Sequence, residues 1–169
     1  MIKPMLAQKV NTKPIDWTNK VFVQPKLDGV RCIFTKDGAY SRNHKQFKNV
    51  DHLQDDLQDF FKKFPDIVLD GELYNHALKQ DFEKIISLVR KQKPSEQDRS
   101  EASDLVQFHV YDVITEPNFT YEFRHNMLAL QLPIAKSITL IKNTVVKNLD
   151  EAKMLHDVHL AQGYEGSML

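Results

Sequence analysis

Lys26-Leu27-Asp28-Gly29-Val30-Arg31 gathers an amine, a carboxylate, a glycine and a guanidinium into one short stretch. Attack by the chain itself on a phosphorus atom needs such a set: a nucleophile, an acidic group and a cation for phosphate oxygens. A lysine amine attacks only when neutral, and its ordinary pKa is about 10.4, so a site that uses one must lower that value or remove the proton during attack. Nearby cations and a bound metal do this, whereas a carboxylate alone holds the proton on. Lys26 therefore needs basic company, which Arg31 supplies, and Gly29 lets the backbone turn tightly beside a ligand. Taken alone, the same residues equally describe a lysine exposed at the end of a strand.

Leu69-Asp70-Gly71-Glu72-Leu73 places two carboxylates two positions apart on an expected strand, where they share one face. Such a pair can hold Mg²⁺ (or Mn²⁺) beside phosphates, or can simply be charges on the wet face of an edge strand. Glu165-Gly166 repeats the carboxylate beside a glycine near the end of the chain, either as a second metal-orienting group or as part of a frayed terminus. Tyr111 precedes Asp112 in a run of Phe108, Val110, Val113 and Ile114, so its ring suits either stacking on a purine or core packing. Arg42, in Ser41-Arg42-Asn43-His44, is a candidate phosphate or ribose contact or a surface arginine of a hairpin. His44 and His109 lack ligand spacing and read as structural or surface residues. No Cys/His spacing suits zinc, and the single Cys32 excludes an internal disulfide and fits a reducing, intracellular setting.

The elements that must position these residues read as strands interrupted by helices. Val21-Phe22-Val23 leads into the lysine segment, and Arg31 to Thr35 is β-rich and followed by Asp37-Gly38, a strong hairpin turn. The spacing of Leu53, Leu57, Phe60, Phe61 and Phe64 predicts one helix over 52–64, with Asp51 as N-cap and Pro65 as its end. Residues 67–74 read as a strand, 80–93 as an amphipathic helix, 105–115 as a strand, 121–132 as a helix and 137–146 as a further strand. The polar stretch 94–104 has no periodicity and predicts a mobile loop. Asn148 and Glu151 resemble a capping box that opens a helix to Ala161, with Gly163 at its end and Glu165 in a last strand. Antiparallel strands with segregated helices predict an α+β fold in one domain over 1–169.

Composition is ordinary for a globular chain of 169 residues, with 41% hydrophobic and 27% charged residues. No apolar run is long enough to cross a bilayer, and the N-terminal segment lacks the apolar core of a signal peptide. The zero net charge divides into +7 over residues 1–50 and −7 over the remainder. The basic front segment suits nucleic acid, and the neutral total suits a mixed, solvated surface.

With these residues in order, the chain resembles the ATP-dependent DNA ligases, within the covalent nucleotidyltransferases. The resemblance rests on Lys26-Leu27-Asp28-Gly29-Val30-Arg31, Leu69-Asp70-Gly71-Glu72-Leu73, Phe108-His109-Val110-Tyr111-Asp112 and Glu165-Gly166-Ser167-Met168. It extends to the opening Lys3-Pro4-Met5-Leu6-Ala7 and to Arg124 after the aromatic strand, and the layout is similar to that of small phage and viral ligases. The resemblance implies an antiparallel, ATP-grasp-like adenylation domain that uses ATP and Mg²⁺ and acts on nicked double-stranded DNA. By the match, Lys26 is the nucleophile, assisted by Asp28 and Arg31, and Gln24 reads the adenine edge. Tyr111 stacks on adenine, Arg42 contacts the ribose or the nick phosphate, Glu72 the ribose or a metal-bound water, and Glu165 the metal.

The family continues past this last motif into a strand with two lysines and an OB-fold domain, and neither is present in these 169 residues. The expectation is therefore a domain incomplete at its C-terminus, monomeric or dimerising through an exposed sheet edge, that self-adenylates slowly or not at all. An RNA ligase, an mRNA capping guanylyltransferase and a non-catalytic nucleotide- or DNA-binding fragment are the alternatives.

Overall fold

The computed structural model describes residues 4–10, 14–115 and 119–169, so Lys3 of the opening segment lies outside the described residues. In chain order the elements are β1 (Val21–Lys26), β2 (Val30–Thr35), β3 (Gly38–Tyr40), α1 (Asp51–Asp56), α2 (Gln58–Lys63), β4 (Val68–Tyr74), α3 (Phe82–Val89), α4 (Glu96–Leu105), β5 (Gln107–Ile114), α5 (Tyr121–Gln131), β6 (Ile138–Leu140), β7 (Thr144–Val146), α6 (Leu149–Ala161) and β8 (Gly166–Met168). A 3-10 turn at His76–Leu78 joins β4 to α3. The chain divides into two compact units, one of residues 1–28 with 141–169 and one of residues 29–140. Among the described residues no helix is long and apolar enough to cross a membrane.

The unit of residues 29–140 is built on a five-stranded sheet in the order β3-β2-β4-β5-β6. The Asp37-Gly38 turn folds β3 back on β2 with Phe34 opposite Ala39, as the turn residues predict. β4 runs antiparallel to β2, with Arg31 opposite Glu72 and Cys32 opposite Gly71. Alternation sends Cys32, Phe34, Leu69, Leu73, Phe108 and Val110 to one face, where they meet Leu53, Leu57, Phe60, Phe61, Ile85 and Leu88 from the helices. Burial of Cys32 in this core pushes its thiol pKa up, which leaves it an inert packing residue.

β5 carries one residue more than β4 across from it. Gly71 faces Val110 and Asp70 faces Asp112, so Tyr111 has no opposite number. Buried core positions step from Val110 to Val113 across this bulge, and Tyr111 and Asp112 are both turned to the polar face. Gly71 faces the core at the same level. A Cβ there would stand 2.6 Å from the Phe108 ring and closer still to the His109 carbonyl. Gly71→Ala is expected to destabilise the chain by about 1–3 kcal/mol in urea unfolding, because neither backbone nor ring can move aside cheaply.

Several expected elements differ. The 52–64 helix is two helices meeting at Leu57, whose φ of −92° and ψ of 0° distort the turn while the Leu57 N–H still reaches Leu53 O at 3.1 Å. Asp51 does not cap it: Val50 holds that position, and the Asp51 carboxylate pairs with Arg99. The stretch expected as a mobile loop is α4. Its Ser95 Oγ accepts from Asp98 N at 3.2 Å while Asp98 Oδ2 accepts from Ser95 N at 2.9 Å, a full capping box. The helix shows no apolar periodicity because Ala102 is its one buried residue; ion pairs Lys84–Glu101, Lys91–Asp98 and Arg99–Asp51 hold the rest. The Lys91 and Ser95 hydrogen bonds lower the Asp98 carboxyl to about 2. The expected 80–93 helix is confined to Phe82–Val89. The expected 137–146 strand is β6 and β7, one in each unit, and β6 runs parallel to β5 because α5 carries the chain back across the sheet.

The unit of residues 1–28 with 141–169 is a three-stranded sheet in the order β7-β1-β8, with β1 antiparallel to both neighbours. Val23, Val146 and Ala152 form its small core, with Trp17, Val21 and Leu155 packed against them. α6 starts as the sequence predicts: Asn148 Oδ1 accepts from Glu151 N at 2.9 Å. Gly163, at φ 87°, then turns the chain out of the helix toward β8. The last strand begins at Gly166, one residue after Glu165 rather than at it.

Candidate active site

The expected site residues fall into two groups, one in each unit. In the first, antiparallel pairing sets Gly166 opposite Lys26, and this brings Glu165 alongside. The Glu165 N–H donates to Lys26 O at 3.1 Å, and its Oε1 pairs with Lys26 Nζ. Both side chains keep contact with solvent, at 38% and 47% exposure, so the amine at the end of β1 is reachable by a dissolved substrate. Gln24 lies two residues earlier on the same strand face, opposite Met168. β8 is steadied by His159, whose Nδ1 lies 2.7 Å from Ser167 Oγ and whose ring meets Tyr164 edge-on. Burial, then the neighbouring His156, lowers the pKa of His159. Asp28 is exposed.

The second group lies on the polar face of the five-stranded sheet. Arg31 Nε and Nη2 donate to Asp70 Oδ1 and Oδ2 at 2.6 and 2.5 Å, a bidentate pair across β2 and β4. Asp70 is 6% exposed; burial pushes its carboxyl pKa up, and the Arg31 guanidinium opposes that rise. The Arg31 guanidinium carbon stands 5.1 Å from the centre of the Tyr111 ring. The Tyr111 hydroxyl donates to Glu72 Oε2 at 2.8 Å. Burial foremost, then the Glu72 charge, drives the phenol far above its ordinary pKa, so it remains a proton donor. A Cβ on Gly29 would lie 2.5 Å from Glu72 Cγ, so the glycine of the lysine segment makes room for Glu72.

Behind the bulge, Arg124 Nε and Nη2 each donate to Asp112 at 2.8 Å, and the Tyr121 hydroxyl donates to Tyr111 O at 3.3 Å. α5 thereby holds the bulged pair Tyr111-Asp112 from behind. Arg42 is exposed in the turn 41–45 and takes no part in this cluster. Sequence reasoning treated Asp70 as a partner of Glu72 for a metal; the two do share a face, but Asp70 is spent on Arg31. It also missed the Asp112–Arg124 pair and the work of the Tyr111 hydroxyl. The break in alternation between Val110 and Val113 was the signal for both.

Among the described residues no three His, Cys, Asp or Glu side chains cluster as a protein-only metal cage. Mg²⁺ is ordinarily held by one or two carboxylates together with substrate phosphates. Carboxylates such as Glu72 and Glu165, outside any such cluster, fit that donor set.

His109 is buried beside Tyr74, with Nε2 3.0 Å from Gln107 Oε1. Burial, then His76, lowers its pKa from the ordinary 6.5 to about 4. The unfolded chain therefore takes the proton first as pH falls. Stability attributable to this imidazole is full above about pH 6.5 and is lost toward pH 4, by up to about 3 kcal/mol. Melting curves across that range are expected to slope less steeply for His109→Gln.

A sequence model of the ATP dependent DNA ligase domain matches residues 4–169. The DNA ligase of African swine fever virus is 29% identical over the whole of this chain, which spans 41% of the viral protein. The chain thus covers about two-fifths of the length of the curated relatives it matches. Among solved structures, a Lig E DNA ligase superposes with a TM-score of 0.76 at 19% identity, over 99% of this chain and 60% of that one. A Chlorella virus DNA ligase-adenylate superposes with a TM-score of 0.61 at 19% identity, over 87% of this chain and 51% of that one. These likenesses bear out the α+β nucleotidyltransferase fold. With the family match running from Pro4 to Leu169, through the lysine segment and the carboxylate, aromatic and C-terminal motifs, the chain belongs to the ATP-dependent DNA ligase domain family.

Proposed function

We propose that this chain carries the adenylation chemistry of an ATP-dependent DNA ligase, with Lys26 as the residue that takes AMP. The Lys26 Nζ attacks the α-phosphorus of ATP, the bond from that phosphorus to the bridging oxygen breaks, pyrophosphate leaves and the amine gives up a proton. The AMP held on Nζ passes to an oxygen of the 5′-phosphate at a nick, releasing the lysine. The 3′-hydroxyl then attacks that 5′-phosphorus and displaces AMP. Charge accumulates on phosphate oxygens throughout, so cations dominate the stabilisation. A bound Mg²⁺ or Mn²⁺ would neutralise part of that charge; Glu165 beside Lys26 and Glu72 on the five-stranded sheet are each a carboxylate that would serve as a ligand.

Within this reading, the Glu165 carboxylate orients the Lys26 side chain at the end of β1 and would serve as a ligand to a metal ion beside the nucleotide phosphates. Tyr111 offers its ring to adenine, Gln24 the purine edge contact, Glu72 the acceptor for the ribose, and Arg42 a contact to the ribose or the nick. Asp28 and Arg31 complete the lysine segment. The reading places the chain inside the cell as a monomer, where ATP and DNA are at hand. The observation that carries it is Lys26 at the open end of β1 beside Glu165, in a chain matched to the family over almost its full length. The test is incubation with α-labelled ATP and Mg²⁺: the expected result is slow accumulation of acid-labile AMP, at most one per chain, with no label from GTP. Absence of label from ATP counts against the proposal.

A further inference from the structure

The Tyr111 phenol and the Glu72 carboxylate are joined in a way that stacking alone does not call for. Tyr111 is the extra residue of the bulge, and its hydroxyl reaches sideways to Glu72 Oε2 at 2.8 Å, although the cross-strand partner of Glu72 is His109. The same ring lies under Arg31, which is itself fixed by two hydrogen bonds to the buried Asp70. From behind, Tyr121 holds the Tyr111 carbonyl, and Arg124 holds the adjoining Asp112. Gly29 leaves Glu72 its space, and any side chain there would push it aside. A flexible glutamate on the polar face of the central strand has thus become a carboxylate of fixed direction, and the group that fixes it is a hydroxyl that phenylalanine would lack.

We infer that the Tyr111 hydroxyl is a specificity-determining positioning group: it aims the Glu72 carboxylate at the sugar of the nucleotide and so makes the chain discriminate ribose from 2′-deoxyribose. The inference rests on the function proposed above, in which Glu72 accepts from the ribose. A half-buried carboxylate held in place disfavours a sugar that lacks the hydroxyl, because the hydrogen bond aimed at that position is then not made. A carboxylate free to swing turns to water instead, and discrimination falls. Stacking of the ring does not need the hydroxyl, so loss of the hydroxyl and loss of the ring are separable.

The test measures the affinity of the chain for ATP and for 2′-deoxyATP, without turnover, in wild type, Tyr111→Phe and Glu72→Gln. A single charge-assisted hydrogen bond sets the scale, so the wild-type preference for ATP is expected to fall about tenfold in Tyr111→Phe and by at least as much in Glu72→Gln. A general loosening of the fold would weaken both nucleotides alike and leave their ratio intact. If Glu72→Gln loses the preference and Tyr111→Phe keeps it, the inference is wrong and the proposed role of Glu72 stands. If neither variant changes the ratio, Glu72 does not face the sugar and the inference fails with it. Failure of the wild-type chain to bind ATP would overturn the functional proposal and this inference together.

Discussion

Lys26→Ala is expected to take up no AMP from α-labelled ATP under conditions that label the wild-type chain. Removing the nucleophile of a covalent mechanism leaves only residual chemistry, so the loss should be roughly 10⁴-fold or more. Stability should change little. Lys26 ends β1 with 38% of its side chain exposed, and its pairing with Glu165 is a surface one. Melting temperatures of wild type and variant should therefore agree within a few degrees. A variant that loses label and fold together would make the lysine a structural residue, and one that still takes up AMP would place the nucleophile elsewhere. Intact mass spectrometry reads the adduct, and peptide mass spectrometry after digestion reads its position.

Arg31→Ala is expected to cost about 3–5 kcal/mol of folding stability, because it leaves the Asp70 carboxylate buried without its counter-ion. The direction with pH follows from the same burial. The Asp70 pKa is already raised by desolvation, and Arg31 is the largest influence holding it down. Without Arg31 it rises further, so the deficit is greatest at neutral pH and shrinks as acid returns a proton to the carboxyl. Urea unfolding at pH 7 and pH 5 should show the difference. The double variant Arg31→Ala with Asp70→Asn should recover part of the loss, since an amide is cheaper to bury than a lone charge. No recovery would mean that Arg31 stabilises by covering the Tyr111 ring rather than by pairing with Asp70.

The strands of the candidate site were legible because their signals are local. Asp37-Gly38 accepts the positive φ that a tight turn needs, and the pairing of β2 with β3 follows from it. Asn148 and Glu151 announce α6 for the same reason. Lys26, Arg31, Glu72, Tyr111 and Glu165 could all be singled out, since each stands beside a glycine or a strand of obvious pattern.

Relations that depend on register were out of reach. Nothing in the spelling of Leu69 to Leu73 says that Arg31 will claim Asp70 and leave Glu72 to Tyr111; that follows from Ile33 standing opposite Asp70 and from an extra residue in β5. α4 was missed for a different reason. Apolar periodicity reports the burial of a face, and a helix that buries Ala102 alone has no face to report. Its capping residues Ser95 and Asp98 were visible and outweighed the missing stripe. The 137–146 segment differs because two short strands of different sheets are separated by three residues only, Ile141 to Asn143, too few to break an apolar, β-rich run.

The three-stranded sheet is assembled from residues that are far apart in the chain: β1 lies before residue 28, and both its neighbours lie after residue 141. The five-stranded sheet has all its strands within residues 29–140. On a ribosome, the latter can close while the former still waits. Lys26 is thus synthesised before the five-stranded sheet and meets its partners in β8 only after it, so a nascent chain can have that scaffold in place before the proposed nucleophile is set.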